Sequence, residues 1–143
     1  MGNFYVTTPI YYVNADPHLG HAYTSVISDI LARWKRLQGE DVFLLTGTDE
    51  NSLKLVKAAE REGSTPQAVA DRYAERFREL ATTYAISNDD FIRTTDQARH
   101  FPGAKKLWEE MQTAGYIYKG TYEGLYCVDC ELFYTGKELI DGK

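Results

Sequence analysis

Cysteine is nearly absent: Cys127 and Cys130 are the only two among 143 residues. So few exclude a disulfide framework, the usual substitute for a core in small secreted domains. No apolar run approaches the roughly 20 residues of a membrane span. No signal peptide precedes the first strand signal, which begins at Phe4. Met1-Gly2 lacks the Ser or Thr that N-myristoylation wants where Val6 stands. A basic excess is missing too: 16 Lys and Arg stand against 21 Asp and Glu, a net charge of −5. That argues against a chain whose main task is gripping nucleic acid, though a local basic face stays open. There is no internal repeat and no low-complexity linker. What remains is an ordinary globular composition, 43% hydrophobic and 26% charged, long enough to bury a core. A soluble, cytoplasmic protein is expected.

Residues 4–8 read as a buried strand ended by Pro9, followed by a Tyr-, Asn- and Asp-rich loop. A helix is expected over 18–38, with Val26, Ile27, Ile30, Leu31, Trp34 and Leu37 recurring at three and four as a core-facing stripe. Gly39 is a natural stop. Residues 42–46 form a second strand, apolar on both faces as an inner parallel strand is, and a loop over 47–52 leaves its end. Two helices follow, one over 53–62 stopped by Gly63, the next capped by Thr65 with Pro66 at its first position and a stripe of Val69, Tyr73, Phe77, Leu80 and Tyr84. A short strand is expected over 89–94. A helix capped by Thr95 then runs to Ala114, bent or split at Pro102. Beyond Tyr116, aromatics alternating with Gly and polar residues suggest short antiparallel strands. A capping-box pattern from Thr135 to Glu138 would start a last helical turn. The order strand–helix–strand–helix–helix–strand predicts an α/β layer with a parallel sheet. Ligands of such sheets sit at the carboxyl ends of the strands, which both candidate loops leave.

The first loop ends in Pro17-His18-Leu19-Gly20-His21. A helix N-terminus attracts phosphate, glycine lets a flat base approach the backbone, and two imidazoles three residues apart can face one ligand. When a carboxylate attacks an α-phosphate, charge builds on the phosphoryl oxygens, and imidazole donors with free helix amides stabilise it. The competing reading is two surface histidines beside a turn glycine. Asp49, at the end of the second strand, suits a cation and equally suits a turn or helix cap. Tyr12 fits a ligand site or a core aromatic. Cys127-Val128-Asp129-Cys130 has the spacing of half a structural zinc site. Two thiolates do not complete it, and nothing in the spacing of His100 marks it as a ligand. Reduced thiols are the alternative, and a thioredoxin-like redox pair is disfavoured because the cysteines lie among strand signals.

The stretch from Pro9-Ile10-Tyr11-Tyr12-Val13-Asn14 through Pro17-His18-Leu19-Gly20-His21-Ala22-Tyr23 resembles the first signature of class I aminoacyl-tRNA synthetases, in the version of the methionyl-tRNA synthetases. Thr46-Gly47-Thr48-Asp49-Glu50 is similar to that family's second block. Asp90-Phe91-Ile92-Arg93-Thr94-Thr95 and Gly124-Leu125-Tyr126-Cys127-Val128-Asp129-Cys130-Glu131 resemble later stretches, in order and over nearly the whole chain. The resemblance implies the first half of a Rossmann-like nucleotide-binding fold over 1–115. Over 116–143 it implies the start of a small β-rich zinc-knuckle insertion.

It also implies activation of methionine by ATP with Mg2+ to methionyl-adenylate, then transfer to tRNA(Met). His18 and His21 would be catalytic and, with Gly20, bind ATP. Pro9, Ile10, Tyr12 and Asp49 would bind methionine, with Asp49 receiving its ammonium group. Cys127 and Cys130 would be half of a Zn2+ site in the complete protein. One departure is clear: Asn51-Ser52 stands where bacterial members usually carry His-Gly, so no role of that histidine carries over. The family's Lys-Met-Ser-Lys-Ser loop and anticodon-binding helices are also missing, so these residues alone are expected to be inactive. A split or silent nucleotide-binding module and a small nucleotidylyltransferase remain alternatives. The Asp49 block and the cysteine hairpin argue against the latter.

Overall fold

The computed structural model describes residues 2–127 and 130–135. The chain divides into two compact units, Met1–Phe101 and Pro102–Lys143.

In the first unit, β1 (Asn3–Thr7) and the two-residue β2 (Tyr11–Tyr12) pair in succession with one side of β3 (Asp41–Asp49), and β4 (Asp90–Arg93) pairs with its other side. Every pairing is parallel, with Phe4 beside Val42, Tyr12 beside Asp49, and Gly47 beside Ile92. Helices α1 (Leu19–Leu37), α2 (Leu53–Glu62) and α3 (Pro66–Thr83) make the connections. This is the expected α/β layer, with a parallel sheet flanked by helices. The β3 strand continues to Asp49, so the loop expected from Gly47 begins three residues later. Those last residues are held as strand because β2 and β4 flank them, pairings that no local pattern announces.

Caps set the helix ends. Ser52 and Thr65 accept from Leu55 N–H and Ala68 N–H at the starts of α2 and α3. Gly63 closes α2 at φ +61°, a left-handed turn that glycine adopts without strain. The core of α2, α3 and the sheet joins Tyr11, Val13, Leu55, Val69, Phe77 and Phe91.

The stripe assigned to α1 needs correction. Ile30, Trp34 and Leu37 are 60%, 52% and 87% exposed, and Ile27 is exposed too. The buried face is instead Ala22, Ser25, Ser28, Asp29 and Ala32. Small side chains let the helix backbone close on Val42 and Leu44 of the sheet. The polar ones are satisfied: Ser25 Oγ meets Tyr11 OH at 3.0 Å and Ser28 Oγ donates to Thr24 O. Burial pushes the Asp29 carboxyl up. Donors at Ser87 and Arg33 outweigh that and hold it below the usual carboxylate range. Periodicity found an amphipathic helix but not the face that packs, because hydrogen bonding made a polar face buriable.

On the opposite sheet face Tyr5 and Phe43 are both exposed, ring centroids 6.0 Å apart. The β3 strand is therefore inner by pairing, but at Phe43 it is not buried on both faces as expected.

In the second unit, α4 (Phe101–Thr113) starts later than expected. Thr95 does not cap it, because its hydroxyl donates to Glu50. Pro102 sits in the first turn, where a missing N–H costs no helical bond. The antiparallel pair β5 (Leu125–Cys127) and β6 (Leu132–Tyr134) answers the expected hairpin. Residues 116–124 carry no strand. The capping box from Thr135 to Glu138 lies outside the described residues apart from Thr135. No helix among the described residues is long and apolar enough to cross a membrane.

Candidate active site

The two histidines cap their own helix. His18 is the N-cap of α1 in extended backbone, and its Nδ1 accepts from Gly20 N–H at 3.1 Å. His21 reaches back so that its Nδ1 accepts from His18 N–H at 3.1 Å. This is a capping box with imidazoles in place of the usual hydroxyl and carboxylate. Its chemical consequence follows from the tautomer. A neutral imidazole accepting at Nδ1 carries its proton at Nε2, which leaves Nε2–H as the donor of such a ring. The rings stack at 3.8 Å. Gly20 also makes room for a reason the sequence did not show: a Cβ there would lie 2.9 Å from Cε1 of His18 and push that ring aside.

His21 is held from behind by buried aromatics. Tyr11 stacks on Phe77 at 5.2 Å, and both set their rings at a steep angle to His21, at 4.8 and 5.0 Å. Desolvation first, then the neighbouring His18, push the His21 pKa below its ordinary 6.5. The neutral form is thus favoured in the folded state, and stability should fall as pH drops through 6.5 towards the lowered folded value. Protonation at Nδ1 would also displace the His18 N–H. A proton NMR titration should place the His21 midpoint below 6.5, with the melting temperature dropping over the same interval. A midpoint above 6.5 would contradict the capped arrangement.

On the neighbouring strand ends, Tyr12 lies directly beside Asp49. Consecutive strand residues point to opposite faces. Tyr11 accordingly serves the histidines, while Tyr12 stays half exposed with Lys54 Nζ 5.2 Å from its ring centroid. Asp49 Oδ1 accepts from Asn51 N–H at 3.0 Å, so Asn51 contributes a backbone donor. Pro9 and Ile10 are exposed between β1 and β2. Thr8 anchors that turn, with its hydroxyl 2.7 Å from Thr46 Oγ1 and its N–H on Leu45 O. All these residues lie at the carboxyl-end side of the sheet, where an α/β layer takes its ligand. A cleft of about 690 Å3 opens elsewhere, around Arg33, Arg78, Ser87 and Asn88 before β4, and includes none of them.

Sequence reasoning missed a cluster behind Asp49. Glu50 has a side chain with 0% exposure that accepts from Arg93 Nε at 2.6 Å and Nη2 at 2.9 Å, from Thr48 Oγ1 at 2.8 Å, and from Thr95. Arg93 also donates to Asp71 at 2.6 Å. Glu50 hydrogen-bonding first, with Asp71 adding to it, raises the guanidinium pKa further. A buried charge is tolerated only when paired and saturated like this. The signal was available as a charged residue closing an apolar strand, with Arg-Thr-Thr at the end of the next.

At the other end of the chain, Cys130 N–H points at Cys127 Sγ, 3.4 Å away. An amide donor on sulfur suits a thiolate that ligates a metal. Two cysteines alone fall short of the four ligands that tetrahedral zinc needs. No group of three or more potential ligands occurs among the described residues.

The site thus combines a parallel α/β layer, a histidine-capped helix start and a strand-end carboxylate. Comparison with known proteins identifies the family. Residues 4–143 match the family of tRNA synthetases class I (M). Methionine–tRNA ligases of Thermotoga maritima and Streptomyces coelicolor are 50% and 52% identical over 96% and 98% of this chain. The solved Mycobacterium tuberculosis methionyl-tRNA synthetase in complex with methionyl-adenylate superposes with a TM-score of 0.92 at 46% identity over 99% of the chain. The chain belongs to the class I tRNA synthetases (M). It spans 22%, 26% and 28% of those three proteins' lengths.

Proposed function

We propose that these residues form the methionine- and ATP-facing region of a methionine–tRNA ligase. The observation that carries it is that both Nδ1 atoms are engaged at the helix start, which leaves Nε2–H as the donor of each neutral ring. In the reaction, a carboxylate oxygen of methionine bonds to the α-phosphorus of ATP. The bond from that phosphorus to the bridging oxygen breaks, and pyrophosphate leaves with the electron pair. His18 and His21 donate to the phosphoryl oxygens as their charge grows, aided by the positive end of the α1 dipole. Their donors are already oriented, so little reorganisation is needed. Gly20 leaves its surface open to adenine. Asp49, steadied at Oδ1 by Asn51, takes the methionine ammonium, and Pro9, Ile10 and Tyr12 border the amino acid.

Mg2+ enters with ATP as a component of the substrate, and no residue of this chain is assigned to it. Residues 1–115 make up the first half of the nucleotide-binding domain, and 116–143 begin the zinc-knuckle insertion. There Cys127 and Cys130 would hold a structural Zn2+ together with ligands from elsewhere. The methionyl group passes to tRNA(Met), in the cytoplasm.

Asp49→Asn tests the amino-acid half of the site. In a full-length enzyme carrying this segment, losing the charged partner should raise the methionine KM in ATP–pyrophosphate exchange by about ten- to a hundredfold. The ATP KM should stay within about twofold. An unchanged methionine KM would remove Asp49 from the site.

A further inference from the structure

We infer that Glu50 and Arg93 are positioning residues that aim the Asp49 carboxylate at the amino acid. This inference rests on the reading of Asp49 given above. Thr48 and Glu50 turn their side chains to the helix-covered face, and Asp49 between them turns to the other. The main chain on both sides of Asp49 is tied to one residue: Glu50 N–H donates to Thr94 Oγ1 at 2.8 Å, and Thr94 N–H donates to Thr48 O at 3.2 Å. The Glu50 carboxylate then clamps the end of β4 through Arg93 and Thr95, and the end of β3 through Thr48. Arg93 carries the clamp on to α3 through Asp71, itself held by Gln67. Asp49 therefore sits on a backbone fixed from three elements, with its own Oδ1 pinned by Asn51. The Glu50 side chain itself is wholly buried behind Asp49.

The test compares Glu50→Gln, Asp49→Asn and the double variant in a full-length enzyme carrying this segment, by ATP–pyrophosphate exchange with methionine and ATP varied separately. Glutamine keeps the shape and removes the charge that holds the Arg93 fork. Glu50→Gln should raise the methionine KM roughly tenfold while moving the ATP KM less than about twofold. In the double variant the Glu50 effect should vanish, because no carboxylate remains to be aimed. Purely structural damage would instead lower kcat through the active fraction and leave both KM values alone, and that result overturns the inference. Should Glu50→Gln fail to fold, Arg93→Lys keeps the charge, loses the fork, and should show the same split to a smaller degree. No split in that variant also overturns the inference. If Asp49→Asn raises the methionine KM and Glu50→Gln does not, only the clamp fails. If Asp49→Asn changes nothing, the reading of the site fails with it.

Discussion

Replacing both His18 and His21 by alanine should lower methionine-dependent ATP–pyrophosphate exchange by about 10^4-fold or more. Removing a single preorganised donor to a developing oxyanion typically costs about 10^2- to 10^3-fold in kcat. Here two donors act at adjacent positions, stacked at 3.8 Å and each locked by a backbone N–H. The loss should fall on kcat more than on either KM, because the interaction strengthens only as charge appears. The same substitutions remove both side-chain acceptors of the α1 capping box, at a further cost of about 0.5–2 kcal/mol for a lost cap. His18→Asn separates the two effects. Asparagine is a good N-cap and should keep the helix start, but its short side chain cannot place a donor where Nε2 stands. That variant should melt within a few degrees of the parent and still lose exchange. If His18→Asn keeps full exchange, the histidine serves as a cap and not as a phosphate donor.

Gly47→Ala should be the most damaging single substitution in the sheet. A Cβ on residue 47 would stand 2.1 Å from the Ile92 carbonyl oxygen and 2.8 Å from its Cγ2. The obstacle is mainly backbone, in a central strand pair whose spacing is fixed near 4.8 Å, so no rotamer relieves it. Overpacking of this kind costs about 1–3 kcal/mol and occasionally more. Here the upper end is expected, which corresponds to a fall of roughly 6–12 °C in melting temperature for a domain of 150–250 residues. The effect should also reach the site, since β3 and β4 would be pushed away from each other just ahead of Asp49. A variant that melts within a degree of the parent would show that the two strands are not in this register.

How much of this could be read beforehand depends on what kind of interaction sets each feature. Helix ends were legible at Thr65 and Gly63, because caps and stops are local chemistry. The parallel layer was legible from element order, and the shared carboxyl-end placement of the candidate residues from the two loops leaving strand ends. The buried face of α1 was not, because Asp29 is made buriable by Ser87, 58 residues away. Nor was the full length of β3, whose last residues are strand only because Tyr11-Tyr12 and Ile92-Arg93 flank them. His18 and His21 were singled out for chemistry but not as caps, since imidazole is an unusual N-cap. Gly20 was singled out for adenine, yet the nearest demand on it comes from the His18 ring. Glu50 and Arg93 lie 43 residues apart, so the resemblance of their blocks could not show that they meet.

The most direct measurement is ATP–pyrophosphate exchange by a full-length enzyme carrying this segment, run with each of the standard amino acids in turn. Exchange that is stimulated by methionine above all others, and abolished by the His18→Ala, His21→Ala double change, is the predicted result. Exchange that proceeds equally well without an amino acid, or that survives loss of both histidines, would contradict the account.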